Sequence, residues 1–415
     1  MQTHLADFIR DTPEGREAEE ILRKCVHCGF CTATCPTYQL LGDELDGPRG
    51  RIYLIKQVLE GERATEKTRL HLDRCLTCRS CETTCPSGVQ YGRLADIGRH
   101  IVEQQVPRTG ADKLKRAALR EFVPNTGLFG SALGLGRMFK PLLPRVIAEK
   151  VPAAEAAGPW PAPRHVRRMI ALAGCVQPSM RPVINAATAR VLDRLGISLV
   201  EAKSAGCCGA VRYHLHDQAG GRDEARRNID AWWPAIESGQ VEAIVVTASG
   251  CGVQVKEYGY LLRHDPAYAA RAEKVAAMSR DVAEVLAAEM KTLTSLLESS
   301  RTQGKAGRLA FHAPCSLQHG LKVRGVVESL LSAAGFELVP VRDSHLCCGS
   351  AGTYSLLQPK LASELRDGKV SALQEYGADC IVSANVGCIE HLATAVSLPI
   401  RHWIELIDEK VTPIV

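Results

Sequence analysis

The stretch KCVHCGFCTATCP occupies residues 24–36, and RCLTCRSCETTCP repeats its pattern at residues 74–86. Each run places cysteines at positions i, i+3, i+6 and i+10 and puts a proline directly after the last one. This spacing is typical of proteins that bind two cubane iron-sulfur clusters, where the last cysteine of each run binds the cluster of the other run. The two runs therefore predict a domain that holds two [4Fe-4S] clusters.

Each predicted cluster takes four thiolates, three from one run and one from the other. The predicted ligands of the first cluster are Cys25, Cys28, Cys31 and Cys85, and those of the second are Cys35, Cys75, Cys78 and Cys81. Zinc is the alternative, but structural zinc sites pair two CxxC hooks at longer spacing and use no third cysteine at i+6. The pattern therefore favours iron-sulfur clusters.

Four side chains beside the runs are basic: Lys24, His27, Arg74 and Arg79. Positive charge near a cluster favours the reduced state, which is more negative. Solvated surface charges give the same sequence pattern, so both interpretations stay open.

The chain has 415 residues and 17 cysteines. This length predicts two or three domains, each able to bury its own core without disulfides. The cysteines lie in tight clusters, which favours metal or redox chemistry in a reducing compartment. The N-terminal residues show no apolar signal region. The longest uncharged stretch, residues 122–136, is shorter than the roughly 20 residues that span a bilayer, so we expect a cytoplasmic protein without a transmembrane helix.

The formal net charge of +5 is small and evenly spread, which argues against nucleic acid as a partner. The sequence contains no G-x-x-x-x-G-K-S/T loop and no G-x-G-x-x-G turn that opens a helix after a strand, so it gives no sign of a nucleotide or flavin held by this chain. The glycine-rich GSALGLG at residues 130–136 lacks a flanking strand and is interpreted as a flexible linker.

Beyond a connector that ends near Pro163, the chain repeats itself. RRMIALAGC matches GRLAFHAPC, ISLVEAKSAGCCGA matches FELVPVRDSHLCCGS, and EAIVVTASGC matches DCIVSANVGC. The first cysteine and the vicinal pair are 32 residues apart in both copies, and the last cysteine follows the pair by 43 and 40 residues. Apolar runs that alternate with helical stretches predict two α/β domains with parallel strands, in which the loops at the carboxyl ends of the strands gather the cysteines.

Each repeat supplies four candidate ligands of an additional metal or iron-sulfur centre. They are Cys175, Cys207, Cys208 and Cys251 in the first repeat and Cys315, Cys347, Cys348 and Cys388 in the second. Gly209 and Gly349 follow the vicinal pairs and permit the tight turn that lets two thiolates reach one metal. Redox-active thiols and buried structural cysteines are the alternatives. Cys380 matches Ala243 of the first repeat, so we predict that it is not a ligand.

These patterns predict an α+β multidomain protein. We expect a helical two-cluster ferredoxin-type domain at residues 1–105, a helical and linker segment at 106–163, a first cysteine-rich α/β domain at 164–300 and a second at 301–415. Three histidines, His312, His345 and His391, lie near the cysteines of the repeats, and we interpret them as hydrogen-bonded loop histidines. A role as ligand or in proton transfer is the alternative.

The motifs CVHCGFCTATCPTYQLLGDELDGPRGRIYLIKQVLEG, HLDRCLTCRSCETTCPSGVQYGRL and GCCGAVRYHL resemble the iron-sulfur subunits of bacterial glycolate oxidase, and the likeness covers nearly the whole chain. The wider family joins a two-cluster ferredoxin domain to two CCG domains. It includes subunits of anaerobic glycerol-3-phosphate dehydrogenase, lactate-utilisation complexes and heterodisulfide reductase. The ferredoxin motifs are specific for clusters, whereas the likeness to glycolate oxidase rests on the flanking sequence.

The resemblance implies an electron-transfer subunit of a glycolate dehydrogenase complex, without a complete active site of its own. FAD-binding subunits of the complex would oxidise glycolate to glyoxylate. Electrons would then pass through the two clusters toward a membrane quinone, with the complex attached to the inner face of the cell membrane.

The alternatives are the same role for lactate or glycerol-3-phosphate, or disulfide reduction at the cysteines of the repeats. Heterodisulfide reductase repeats end in CxxC, whereas these repeats end in CGVQ and CIEH, with Gln254 and His391 in place of the last cysteine. This departure disfavours disulfide-reductase chemistry.

Overall fold

A computed structural model of the chain describes residues 1–142, 151–299 and 307–412. The first of these ranges contains helices and short 3₁₀ turns but no strand. Its helices are α1 (Asp7–Arg10), α2 (Pro13–Lys24), α3 (Pro36–Leu41), α4 (Pro48–Leu59), α5 (Glu66–Asp73), α6 (Ser80–Thr84), α7 (Tyr91–Gln105), α8 (Gly110–Phe122) and α9 (Thr126–Met138), with 3₁₀ turns at Phe30–Thr32, Glu44–Asp46 and Lys140–Leu142. The helical character predicted for the N-terminal part of the chain is confirmed.

Helix α4 forms the centre of this helical part. Pro48 occupies its first turn, where the missing backbone N–H costs nothing, as the sequence predicts. Ile52, Ile55 and Leu59 recur at helical spacing and are buried against α2 and α7. Both three-cysteine loops begin directly after helices of this bundle, α2 and α5, so the bundle fixes where each loop starts.

The glycine-rich stretch GSALGLG is helical, and the prediction of a flexible linker is wrong. It lies within α9, whose N-cap residue Asn125 accepts a hydrogen bond from the backbone N–H of Leu128 at 3.0 Å. A capped helix tolerates glycine at about 1 kcal/mol per residue. Residues 151–166 have irregular backbone, where the sequence predicts a connector.

Two four-stranded parallel sheets follow, one in each repeat. The strands are β1 (Arg167–Ala171), β2 (Ile197–Glu201), β3 (Ile244–Val246), β4 (Ser279–Asp281), β5 (Arg308–His312), β6 (Glu337–Leu338), β7 (Cys380–Ser383) and β8 (Ile400–His402). The strand order is β2-β1-β3-β4 in one sheet and β6-β5-β7-β8 in the other. The identical order confirms that the chain repeats an α/β unit.

Helices connect and cover these strands. In the first repeat they are α10 (Gln177–Met180), α11 (Val183–Arg194), α12 (Ala210–His214), α13 (Gln218–Glu237), α14 (Ser249–Lys256), α15 (Tyr258–Leu261), α16 (Ala269–Met278), α17 (Val282–Ala288) and α18 (Met290–Ser299). In the second they are α19 (Val326–Ala333), α20 (Tyr354–Leu357), α21 (Pro359–Gln374), α22 (Val386–Ala393) and α23 (Trp403–Val411), with a π-helical turn at Ser316–Gly320.

Each sheet has one strand more than the three expected from the sequence. The additional strands, β4 and β8, have three residues each and pair with β3 and β7. Such short segments cannot show the apolar run or the alternation by which a strand is recognised. In β4 the central residue, Arg280, is both charged and exposed.

The two repeats pack against each other. Buried side chains of both, including Val282 and Leu331, belong to one apolar core. The Oγ atoms of Ser249 and Ser316 lie 2.7 Å apart, which brings α14 close to the π-helical turn of the second repeat. The boundary predicted between residues 300 and 301 lies outside the described residues. Within the described ranges, no helix combines the length and the apolar character that crossing a membrane requires.

His402 joins the repeats and makes the stability of the fold depend on pH. Its Nε2–H donates to the carbonyl oxygen of Thr247 at 3.0 Å, and its Nδ1 accepts from the N–H of Ile404 at 3.3 Å. Burial lowers the pKa of His402 to about 3, whereas the pKa of an unfolded histidine is about 6.5. The neutral His402 ring therefore stabilises the fold fully above about pH 6.5. This stabilisation is lost as the pH falls toward 3, because the unfolded chain binds the proton more tightly than the folded chain does.

We expect the free energy of unfolding to fall by about 1.4 kcal/mol per pH unit below pH 6.5 through His402. His402→Asn retains a capping side chain and removes this contribution. Urea unfolding of both proteins at about pH 7.5 and about pH 5.5 measures the difference. Identical pH dependence in the two proteins would contradict the assignment.

Candidate iron-sulfur centres

The predicted ligands of the first cluster line one cavity. Cys25, Cys28 and Cys31 come from the first run and Cys85 from the second, around a space of about 440 Å³. Apolar side chains of the loop and of α4 complete the wall. Burial raises the pKa of Cys31 to about 11, and the nearby Cys25 thiol acts in the same direction. The structure therefore brings together the four thiols that the crossed pattern pairs.

The predicted ligands of the second cluster line a neighbouring cavity of about 360 Å³. Cys75, Cys78 and Cys81 come from the second run, and Cys35 from the first. Pro48, Cys81 and Tyr91 line both cavities. A wall of single side chains therefore separates the two sites.

The two cysteine loops have the same backbone geometry. His27 and Gly29 in the first loop have φ values of 56° and 87°, and Thr77 and Arg79 at the equivalent positions of the second have 53° and 59°. Non-glycine residues seldom adopt this left-handed conformation, and such residues concentrate at functional sites. The turn places the backbone N–H of Thr77 3.4 Å from Sγ of Cys75, as a donor to the sulfur.

Positive charge is concentrated at the second cavity. Arg51 is buried on α4, and Arg99 on α7 donates to the carbonyl oxygens of Leu72 and Cys75 at 2.7 and 2.6 Å. Burial by itself raises the pKa of Cys75, but Arg51, Arg99 and the N–H of Thr77 together hold it below its usual value. This positive charge therefore acts on Cys75, whereas burial raises the pKa of Cys78 and Cys81 well above their usual values.

The sequence did not identify these two arginines; it indicated Lys24, His27, Arg74 and Arg79. Carboxylates pair with two of those: Arg74 lies 2.7 Å from Asp46, and Arg79 lies 2.8 Å from Glu257. Burial, and then the charge of Arg49, lower the pKa of His27, and Lys24 is exposed at the end of α2. The available signal for Arg51 was its place three residues after Pro48, one turn further along the same face of the predicted helix.

The four cysteines of the first repeat converge at the carboxyl ends of β1, β2 and β3. Cys175 lies within hydrogen-bonding range of Cys207. Cys208 lies within the same range of both Cys207 and Cys251. Hydrogen bonds from Cys175 and Cys208 lower the pKa of Cys207. The N–H of Gly209 also donates to Sγ of Cys207 at 3.5 Å.

The four cysteines of the second repeat converge in the same way. The Sγ atoms of Cys315 and Cys347 are 3.7 Å apart, and Cys348 contacts both Cys347 and Cys388. Asn385 donates to Sγ of Cys388 at 3.4 Å.

The second set also lies against the ferredoxin loops. Leu76 and Cys78 pack in one apolar cluster with Cys315, Cys347 and Tyr354. Burial, together with the neighbouring Cys315, raises the pKa of Cys78 well above its usual value. The cysteines of the second repeat are thus direct neighbours of the second ferredoxin cavity.

Two of the three histidines near these cysteines differ from the expectation. His391 lies in helix α22 rather than in a loop and contacts the carbonyl oxygen of Ala362 at 3.2 Å, whereas His345 lies in a loop. His312 instead ends β5, is buried, and has no hydrogen-bond partner at either ring nitrogen among the described residues. Its interpretation as a hydrogen-bonded loop histidine is wrong. Burial lowers the pKa of His312 to about 3, so the ring is neutral.

Cys380 starts β7, at the end of the strand remote from Cys388. Its thiol donates to the carbonyl oxygen of Ile381 at 3.4 Å, and burial raises its pKa to about 11. This placement favours the prediction that Cys380 is not a ligand.

The donor sets fit iron-sulfur clusters chemically. All 17 cysteines carry free thiols, so no disulfide competes for the sulfur atoms. Each ferredoxin cavity offers at least four thiols in a mostly apolar wall, and at the second cavity the backbone N–H of Thr77 donates to the sulfur of Cys75. Cubane clusters require four thiolates, and hydrogen bonds to sulfur and burial set their potentials.

The glycine after each vicinal cysteine pair is required by a close backbone contact. A Cβ added at Gly349 (φ 87°) would lie 2.5 Å from the carbonyl oxygen of Ala362, and one at Gly209 (φ 91°) would lie 2.5 Å from that of Gly221. Gly335, in the same repeat, has φ 86° but no atom within 4 Å of its added Cβ.

We expect Gly335→Ala to cost about 1–2 kcal/mol, because left-handed backbone is unfavourable for alanine. Gly349→Ala adds the overlap with Ala362, typically worth about 1–3 kcal/mol more. Urea unfolding of the two variants measures this difference. Equal destabilisation would show that the close contact at Gly349 has no energetic weight.

Comparison with known proteins identifies these units. A family model described as "4Fe-4S dicluster domain" matches residues 21–89. A second, described as "Cysteine-rich domain" (CCG), matches twice, at residues 170–256 and 309–393. The chain is thus an iron-sulfur protein that joins a dicluster ferredoxin domain to two cysteine-rich domains.

Full-length relatives give the family. The chain is 56% identical to the glycolate oxidase iron-sulfur subunit of Escherichia coli (strain K12), over 99% of this chain and 99% of the relative. It is 30% identical to the probable glycolate oxidase iron-sulfur subunit of Bacillus subtilis (strain 168), over 92% of this chain and 90% of the relative. The chain belongs to the family of glycolate oxidase iron-sulfur subunits.

A more distant similarity links the chain to lactate utilization protein A. The protein of that name from Exiguobacterium sp. (strain ATCC BAA-1283 / AT1b) is 24% identical over 57% of this chain and 95% of its own length. The resemblance stated from the cysteine runs and their flanking sequence is therefore confirmed.

Proposed function

We propose that the chain is the electron-transfer subunit of an FAD-linked glycolate dehydrogenase, which oxidises glycolate to glyoxylate and delivers electrons to a membrane quinone. The observation that carries the proposal is the gathering of four cysteines, drawn from both runs, at each of two adjacent cavities. The 56% identity to the glycolate oxidase iron-sulfur subunit of E. coli supports the choice of substrate. The flavin lies on partner subunits, and the complex attaches peripherally to the inner face of the membrane.

The cavities support the ligand sets predicted from the sequence. Cys25, Cys28, Cys31 and Cys85 hold one [4Fe-4S] cluster, and Cys35, Cys75, Cys78 and Cys81 hold the other. When bound, the clusters supply one-electron transfer. The protein surrounds the sulfur atoms with mostly apolar side chains and keeps the two sites one side chain apart, through Pro48 and Tyr91.

The charges favour one direction for the electrons. Arg51 and Arg99 favour negative charge at Cys75 of the second cavity, and positive charge near a cluster would stabilise its reduced form. The second cavity also neighbours Cys315 and Cys347 of the second repeat. With clusters bound, electrons would enter at the first cavity and leave from the second, beside the second cysteine-rich domain. The cysteines of both repeats are the candidate ligands of further metal centres.

We expect the isolated chain, purified anaerobically, to be reduced by dithionite but not by glycolate. Glycolate oxidation with an artificial acceptor appears only when FAD-binding partner subunits are added. Optical spectra of the reduced and oxidised chain and an acceptor assay measure both properties. Glycolate oxidation by the pure chain would contradict the proposal, because the active site would then lie on this subunit.

Lactate is the second candidate substrate, favoured by the similarity to lactate utilization protein A. The assembled complex discriminates the two candidates through kcat/KM for glycolate and for lactate. A larger value for lactate would replace glycolate in the proposal and leave the electron-transfer role unchanged.

A further inference from the structure

The two repeats differ at one residue beside their cysteines. The segments RRMIALAGC and GRLAFHAPC align so that Leu172 in the first repeat corresponds to His312 in the second. Both side chains are buried three residues before the first cysteine of their repeat; Leu172 directly follows β1, and His312 is the last residue of β5. Leucine is an ordinary residue in a buried position, whereas a buried histidine needs a partner for its polar ring nitrogens.

Hydrogen bonds within the described part of the protein do not account for a histidine at position 312. Its exposed fraction is 1%, and neither ring nitrogen has a hydrogen-bond partner among the described residues. A buried polar group without a partner costs about 1–3 kcal/mol. A bound group that accepts the imidazole as a ligand would offset this cost.

The ring points toward such a ligand position. One ring nitrogen of His312 and the Sγ atoms of Cys348 and Cys388 all lie within 4.8 Å of one another. All three residues are buried. Thiolates at about 2.3 Å and an imidazole nitrogen at about 2.0–2.1 Å from a zinc ion are compatible with donor atoms this close together.

We propose that His312 is a metal ligand of the second cysteine-rich domain, where its imidazole nitrogen and the thiolates of Cys348 and Cys388 bind one metal. The first repeat, with Leu172 at this place, offers sulfur ligands only. The inference deepens the metal centre of the proposed function and does not depend on which 2-hydroxyacid the complex oxidises.

The nitrogen ligand changes what the second site can do. Exchanging a thiolate for a neutral imidazole removes one negative charge, and histidine ligation raises the potential of an iron-sulfur centre relative to all-cysteine ligation. Zinc takes the same mixed nitrogen and sulfur ligands without redox chemistry. An iron centre and a zinc site at this place would both contain a thiophilic metal with one nitrogen ligand. Metal analysis distinguishes iron from zinc.

The test compares wild-type protein, His312→Leu and His391→Gln, all full-length and purified anaerobically. Leucine is the residue that the first repeat uses at this place, so the substitution preserves the core. His391 contacts the backbone of Ala362 and is the matched control. Iron and zinc per chain are measured by mass spectrometry.

We expect wild type and His391→Gln to contain zinc, or iron beyond the about eight atoms of two cubane clusters. His312→Leu loses that additional metal. Wild type should also show a nitrogen ligand, by zinc K-edge absorption or by ¹⁴N coupling in pulsed EPR of the additional iron centre.

Three results would overturn the proposal: no metal beyond about eight iron atoms in wild type, unchanged metal in His312→Leu, or an additional metal without a nitrogen ligand. Other results would contradict the proposed function. They are the absence of the two ferredoxin clusters from the wild-type chain, or glycolate oxidation by the pure chain.

Discussion

Replacing Arg51 by methionine is expected to lower the free energy of unfolding by about 3–5 kcal/mol and to prevent assembly of the second cluster. The Arg51 guanidinium is 1% exposed, donates to the carbonyl oxygen of His71 at 2.7 Å and lies 3.5 Å from the fully buried carboxylate of Asp46. Removing it leaves Asp46 buried with less compensating charge, and it withdraws positive charge from Cys75.

Arg49→Met is the matched control because it makes the same substitution two residues earlier on α4. The Arg49 side chain is 37% exposed and pairs with Glu44 at 2.6 Å, so its loss costs at most about 1 kcal/mol. Unfolding transitions and iron content of the two anaerobic proteins measure the contrast. Equal stability and equal iron in Arg51→Met and Arg49→Met would show that the buried guanidinium has no role at the second site.

The cysteine sets were predictable because ligand spacing is a local property of the chain. A loop with cysteines at i, i+3 and i+6 presents three sulfur atoms whatever surrounds it, and the fourth follows from the duplicated run. The charges around the second cavity were not predictable in the same way. Arg99 reaches Cys75 from α7, and that approach depends on how α5 and α7 pack.

The repeats show the same division. Strands that carry apolar runs and end at cysteines were found from the sequence, whereas β4 and β8 are too short to leave a pattern. His312 was interpreted as a loop histidine because, like His345 and His391, it lies near a cysteine of the repeats. Only the paired strands show that it ends β5 inside the core.

The proximity of the second repeat to the ferredoxin loops also lay beyond sequence reasoning. Cys78 and Cys315 are 237 residues apart along the chain, yet they belong to one packed cluster. Tyr354 contributes to that contact by donating its hydroxyl to the carbonyl oxygen of Arg74 at 3.1 Å. This contact places the cysteines of the second cysteine-rich domain beside the second ferredoxin cavity, on the proposed electron path.

The crossed ligation is tested most directly by pairing cysteine substitutions. Cys25→Ser/Cys85→Ser removes one cysteine from each run, whereas Cys25→Ser/Cys35→Ser removes two from the first run. With crossed sets, Cys25 and Cys85 belong to the same cluster, and Cys25 and Cys35 belong to different clusters. Both variants lack two cysteines, so they are matched in the number of thiols lost.

The measurement is iron and acid-labile sulfide per chain, with EPR of the dithionite-reduced proteins, for wild type and the two double variants. Crossed ligation predicts a loss of about four iron atoms from Cys25→Ser/Cys85→Ser and of about eight from Cys25→Ser/Cys35→Ser. The reverse result, with the larger loss in Cys25→Ser/Cys85→Ser, would mean that each run holds its own cluster and would contradict the crossed sites on which the proposed electron path rests.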